Sequence, residues 1–197
     1  MKILVHSSPT TLQKWKTDNL GILSSPRRFY KNVEGWSWAA DNDAFNSWDE
    51  RLFVKMLDKI SELSGCLFVS SPDVVGDAEK TIELFLKWEK EIHGRGLPVA
   101  FVGQDGITGG DDERIPWDNL DAIFIGGTTE FKLGEEAKSL ALEAKKRNKW
   151  LHMGRVNSMK RILYAKGIGC DSVDGSHYSR FKNCCLDKSL EIAKRRI

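Results

Sequence analysis

Gly167–His177 reads GIGCDSVDGSH, a short run centred on Val173 that ends in an acid, Asp174, followed at once by Gly175, Ser176 and His177. Strand-like runs of this kind recur along the chain, and each stops at a polar or glycine-bearing tip. A parallel sheet gathers functional groups in this way, because the carboxyl ends of its strands open onto one shared crevice. Asp174 therefore stands where such a sheet places a reactive carboxylate. A carboxylate that merely caps a turn is the other reading of this position.

Working outward, Lys2–Ser7 (KILVHS) is a first strand, and Gly35–Phe45 (GWSWAADNDAF) a second that ends in Asp41-Asn42-Asp43. Cys66–Val69, Pro98–Val102, Asp121–Ile125 and Trp150–Met153 follow, and the Val173 run is the seventh. Between them, Trp48–Leu63 carries apolar residues at helical spacing. Asp77 suits the cap of a helix with Ile82, Phe85 and Leu86 on its apolar face. Gly134–Arg147 and Ser158–Lys166 are helical as well. Residues 16–35, rich in Gly, Ser, Pro and Asn, read as loop. Alternating strand and helix with short connections predicts parallel βαβ units. Seven strands in a chain of 197 residues predict one domain over 1–197: a small TIM-type (β/α) barrel, lean or incompletely closed. A doubly wound open sheet is the competing architecture.

Composition narrows the function classes. At 41% hydrophobic and 29% charged, the chain is long enough for one sizeable core. Its 30 basic and 28 acidic residues leave a formal charge of +2, which names no nucleic-acid partner and excludes none. The longest apolar runs are strand-sized and MKILVHSS turns polar after five residues, so neither a membrane span nor a signal peptide is expected and the location implied is cytoplasmic. Cys66, Cys170, Cys184 and Cys185 lack CxxC spacing, and His6, His93, His152 and His177 lack metal-ligand spacing, so no structural metal or cofactor is expected. No GxGxxG or GxxxxGK[ST] phosphate loop occurs.

The strand tips together offer Asp41, Asp73, Gln104, Gly126-Gly127, Met153 and Asp174. Two carboxylates suit a reaction at an anomeric carbon, one as nucleophile and one handling protons. Asp73 and Gln104 can read the polar edge of a heterocycle. The paired glycines admit a flat ligand close to the backbone, and Phe45 and Met153 can hold its two faces. Three tip carboxylates can alternatively bind Mg²⁺. Arg27 and Arg28, beside Phe29 and Tyr30, suit a polynucleotide backbone, and Arg155 follows the sixth tip.

These segments resemble, in order over residues 36–176, those of the tRNA-guanine transglycosylase superfamily. ADNDAF is similar to that family's TDSGGF, which implies Asp41 as general base and Phe45 as the ring that stacks on the base. FVSSPD and FVGQDG resemble the segments that recognise the heterocycle, implying Asp73 and Gln104. IFIGGTTEFKLGE resembles the GGL-x-VGE turn, implying Gly126 and Gly127. LHMGRV resembles LMGVG, which implies Met153 on the base's other face, and GCDSVDGS resembles GVDMFDC, which implies Asp174 as nucleophile. Asp43 and Ala44 stand where the family has two glycines, and the family's three-cysteine, one-histidine zinc site has no counterpart here. A short chain of this kind is most similar to the phage and bacterial relatives that place 7-deazaguanines in DNA. The resemblance implies exchange of guanine for a 7-deazaguanine in a nucleic acid, DNA before tRNA. N-glycosidic hydrolysis and a non-catalytic binding subunit are the alternatives.

Overall fold

A computed structural model describes residues 1–195. Eight parallel strands pair in sequence order, and the last pairs with the first, so the sheet is a closed barrel. They are β1 (Lys2–Val5), β2 (Leu20–Ser24), β3 (Trp38–Ala40), β4 (Cys66–Ser70), β5 (Val99–Gly103), β6 (Ala122–Ile125), β7 (Trp150–Met153) and β8 (Ser172–Asp174). Closure sets Lys2 beside Ser172, Ile3 beside Val173 and Leu4 beside Asp174. The barrel predicted from the sequence is therefore present, and it is complete.

The strand that completes it is β2, which lies inside the 16–35 stretch read as loop. All five of its residues, LGILS, are buried. A strand covered on both faces shows no polar alternation. This one is also surrounded by turn formers, so its period carries no signal. The Gly35–Phe45 run, by contrast, shrinks to Trp38–Ala40. Asp43 adopts a left-handed backbone, φ 63°, and the chain there leaves the ladder to form a loop over the barrel mouth.

Side chains alternate between two layers along each strand. Leu4, Leu23, Ala39, Phe68, Ala100 and Ala122 fill the barrel interior. Their neighbours Ile3, Ile22, Trp38, Val69, Phe101, Ile123, Leu151 and Val173 join a larger outer core under the helices. That layer is covered by α1 (Pro9–Leu12), α2 (Glu50–Ile60), α3 (Ala78–His93), α4 (Thr129–Leu133), α5 (Glu135–Lys146), α6 (Met159–Gly167), α7 (Ser176–Arg180) and α8 (Asp187–Lys194). Local chemistry sets several starts: the side chains of Asp49, Asp77, Thr128 and Ser158 accept from backbone N–H groups in the first turns of α2, α3, α4 and α6. No helix separates β2 from β3. Trp15, Val33 and Trp36 fill the corresponding part of the outer layer instead, and α8 packs against β1. Among the described residues no helix is long and apolar enough to cross a membrane.

Gly21 in β2 is required by space. A Cβ there would lie 2.6 Å from Leu4 Cδ2 and 2.8 Å from the backbone oxygen of Ser37. The leucine can turn aside, but the carbonyl, held in the β2–β3 ladder, cannot. Gly21→Ala is therefore expected to destabilise the fold by roughly 1–3 kcal/mol, the usual cost of overpacking. An unchanged denaturant midpoint would show that β2 is not packed in this way.

Candidate active site

The cleft at the carboxyl ends of the strands is lined by Asp41, Asn42, Phe45, Asp73, Val75, Val102, Gln104, Phe124, Gly126, Gly127, Lys132, Gly154, Arg155 and Asp174. Strand alternation explains the set. Residues with the inward parity of Ala39, Ala100, Ala122 and Ser172 emerge at the mouth as Asp41, Val102, Gly126 and Asp174. Eight of the residues singled out in the sequence meet here: Asp41, Phe45, Asp73, Gln104, Gly126, Gly127, Arg155 and Asp174.

Three others do not join them. Met153 is 2% exposed and packs in the outer core. His152, one residue earlier, takes the inward position, so Met153 faces the helices rather than the place opposite Phe45. Arg27 reaches from the β2–β3 loop to Asp43 (3.7 Å) and donates to the Ser47 backbone and hydroxyl oxygens (2.9 and 2.7 Å), bracing the loop that carries Phe45. Arg28 lines a second, polar cleft with His6, Ser8, Thr11, Tyr30 and Arg180. The turn that carries the two arginines is tight: Ser25 and Arg28 exchange both backbone hydrogen bonds at 2.9 Å, with Pro26 at the position where its fixed φ suits a turn.

Asp174 is held on one side only. Its Oδ1 accepts from His152 Nε2 at 3.1 Å and from the Arg155 backbone N–H at 3.3 Å. Among the described residues none donates to Oδ2. Asp41 has a different environment. Burial, then the negative charges of Asp174 and Asp73, push its carboxyl up to about 7. Such a rise favours the acid form by on the order of 4 kcal/mol. Lys132 lies near both acids. It is 6% exposed, donates to the Gly154 carbonyl at 2.9 Å, and is pulled down to about 8 by burial and by Arg155.

Asp73 forms one wall. Its two oxygens accept from Asn42 Nδ2 (2.6 Å) and Gln104 Nε2 (2.5 Å), and Gln104 Oε1 accepts from the Gly76 N–H (3.0 Å). Burial raises the Asp73 carboxyl despite these donors. Each of its oxygens keeps a lone pair for a ligand donor, so the wall presents acceptors to the cleft. Gly127 (φ 72°) is needed by the protein itself, since a Cβ there would strike Asp105 Oδ2 at 2.6 Å. Asp105 in turn accepts from the Thr128 N–H and hydroxyl (2.8 and 2.5 Å), fixing the turn into α4. At the mouth, Phe45 is 64% exposed and the Arg155 guanidinium lies 4.4 Å from its ring centroid. Arg155, itself left-handed at φ 58°, also donates to the Gly127 carbonyl.

Lys132, Asn42 and His152 were not singled out from the sequence. Nothing in TEFKLGE separates Lys132 from a solvated helix lysine. His152 was legible in principle, because the alternation in WLHM and in SVD puts His152, Ser172 and Asp174 on one side of adjacent strands. The thiols of Cys66 and Cys170 are pushed up by burial, as inert core cysteines are, and Cys185 is half-buried. The side chain of Cys184 lies outside the described residues. Among the described residues no group of three or more His, Cys, Asp or Glu is placed to hold a metal ion. No protein-family model matches the chain, and no curated protein matches it.

The Asp41 environment has a consequence for stability. Its pKa is higher folded than unfolded, so its contribution is fully present below the ordinary carboxylate range and is lost as pH rises toward 7. Asp41→Asn cannot titrate. It should match wild type near pH 4 and exceed it by ~2–4 kcal/mol above pH 7. Denaturation at both pH values checks this, and a gap that does not open with pH would contradict the raised carboxyl.

Proposed function

We propose that this protein is a base-exchange transglycosylase that replaces guanine in a nucleic acid, DNA before tRNA, with a 7-deazaguanine. The observation that carries the reading is the contrast between the two carboxylates of one cleft. Asp174 has one oxygen held and one left to the cleft, while Asp41 is raised to about 7. The first is suited to attack and the second to carry a proton near neutral pH.

In this mechanism Asp174 Oδ2 attacks C1′ of the nucleotide. The C1′–N9 bond breaks and its electrons leave with guanine, which takes a proton from Asp41. The incoming deazaguanine then returns its N9 proton to Asp41, and N9 attacks C1′ to expel the Asp174 carboxylate. Two displacements retain the sugar's configuration. One proton carrier serves both halves, which favours a carboxyl whose pKa is close to the working pH. Lys132 offsets the negative charge that two ionised acids would otherwise concentrate. The Asp73 wall accepts from the N1–H and amino group of a guanine edge, which presents donors there.

Phe45 supplies the stacking face. Its present cover, the Arg155 guanidinium, is worth about 0.5–1 kcal/mol at an exposed site. A stacked base is worth ~1–3 kcal/mol, so an entering base can displace the arginine from the ring. A duplex nucleotide must flip out of its stack to bring C1′ to Asp174. Arg155 at the mouth and Arg28 in the second cleft are suited to the phosphates on either side, which makes binding salt-dependent, while Arg27 braces the Phe45 loop. The reaction needs no cofactor, and the proposed location is the cytoplasm, where a guanine-bearing polymer is available.

Two outcomes test the assignment. Asp73→Ala should weaken binding of a free 7-deazaguanine by roughly 1–3 kcal/mol, because it removes the acceptors that would face the base edge. Calorimetry showing unchanged affinity would reject the recognition wall. Asp174→Asn should abolish both exchange of labelled guanine and any gel-stable protein–polymer adduct, whereas Asp41→Asn should slow adduct formation and exchange alike without abolishing the adduct. Exchange at the wild-type rate by Asp174→Asn, with both DNA and tRNA, would defeat the mechanism. Release of guanine without incorporation would favour a hydrolase, and base binding without either reaction a binding subunit.

A further inference from the structure

Beneath Asp174 the barrel interior holds a chain of polar groups to which the exchange mechanism assigns no role beyond the single contact on Oδ1. Trp150 Nε1 lies 2.9 Å from Ser172 Oγ, Ser172 Oγ lies 2.8 Å from His152 Nδ1, and His152 Nε2 lies 3.1 Å from Asp174 Oδ1. His152 and Ser172 are fully buried. Register explains the contact, since β7 and β8 pair with His152 opposite Ser172, and Asp174 is the next inward residue of β8. The imidazole sits between two rings, with centroids 5.0 Å from Phe68 and 4.6 Å from Phe124.

The direction of these bonds follows from the donor inventory. An indole N–H can only donate, so Ser172 Oγ accepts from Trp150. The hydroxyl's single proton then goes to His152 Nδ1, which must be unprotonated to accept it. The remaining ring proton is therefore on Nε2 and is donated to Asp174. A doubly protonated ring would turn Nδ1–H toward Ser172 Oγ and deprive the hydroxyl of this acceptor. The Nδ1–H tautomer would leave Nε2 and the carboxylate as two facing acceptors. One arrangement satisfies every group.

We propose that Trp150, Ser172 and His152 form a one-way hydrogen-bond relay that makes His152 the positioning residue for Asp174, engaging Oδ1 so that Oδ2 is presented to the cleft. The role in attack rests on the transglycosylase reading; the relay itself rests on geometry alone. The flanking aromatic rings confine the imidazole, and the hydroxyl and the carboxylate together select its tautomer, as the partners of metal-bound or catalytic histidines do. His152 touches no reacting atom, and its effect passes entirely through Asp174.

Long-range ¹H–¹⁵N NMR of the histidine rings in the wild-type protein at neutral pH reads the tautomer without any activity. The expected result is a neutral His152 protonated on Nε2, with Ser172→Ala shifting the Nδ1 resonance as its hydrogen bond is lost while Nε2 stays protonated. A neutral Nδ1–H ring or an imidazolium in wild type overturns the relay. Single-turnover adduct formation tests the positioning role. His152→Leu should slow it by about 10–100-fold with the Kd for the free base unchanged, and His152→Gln, whose amide can still donate to Oδ1, should recover most of the loss. An undiminished rate in His152→Leu, or no recovery in a folded His152→Gln, overturns positioning. If wild type forms no adduct with DNA or tRNA, the transglycosylase reading fails, and the ring NMR still upholds or overturns the relay.

Discussion

The pairing of β8 with β1 is the constraint on which the site depends. It closes the sheet, and closure makes every strand end at one mouth with a common inward parity. Without it, Asp174 would sit on the exposed edge of an open sheet, with the Asp41 loop on another strand and no shared cleft. A barrel of eight short strands has an interior just wide enough for side chains to fill. Here Phe68, Phe124 and His152 occupy that space, so the floor of the cleft is solid and polar groups concentrate above it.

That concentration is costly. Asp41, Asp73 and Asp174 share one partly desolvated mouth, and the protein treats each differently. Asp73 is given two side-chain donors, Asp174 two donors on a single oxygen, and Asp41 one backbone N–H from Asn42 at 2.8 Å. The acid with the fewest donors, Asp41, is raised to about 7, as expected when burial and like charges outweigh hydrogen bonding. Lys132 and Arg155 supply the nearby positive charge. Lys132 is itself lowered by burial, so desolvation outweighs its attraction to the acids. A carboxyl raised toward neutral pH within a cleft is the pattern from which an acid–base role is assigned.

The loops of the mouth carry backbone strain where the site needs it. Among the described residues, the non-glycine residues with positive φ are Asp43, Asn148 and Arg155. Two of these three flank Phe45: Asp43 opens the turn that lifts the ring, and Arg155 covers it. Left-handed backbone at such residues costs of order 1 kcal/mol or more and persists only where its surroundings enforce it. Arg27 holds the first loop through Asp43 and Ser47. The Arg155 side chain is tied to Gly127 and its backbone N–H to Asp174.

Local chemistry made much of this legible in the sequence. Apolar runs ending in polar tips marked seven strands, helical spacing and caps such as Asp77 marked the main helices, and the tips named most of the residues that meet in the cleft. These signals survive because they depend on neighbours a few residues apart. β2 escaped because its doubly buried run lies within a stretch rich in Gly, Ser, Pro and Asn and has no polar alternation to mark it out. Met153 lies on the far side of its strand from the cleft, because alternation along β7 gives the inward position to His152. Lys132 and the His152 relay depend on contacts more than 19 residues apart in sequence, made when β7 and β8 pair and α4 folds over the mouth. Which acid is raised and which is held follows from burial and from the distances between charges, quantities that exist only once the barrel has closed.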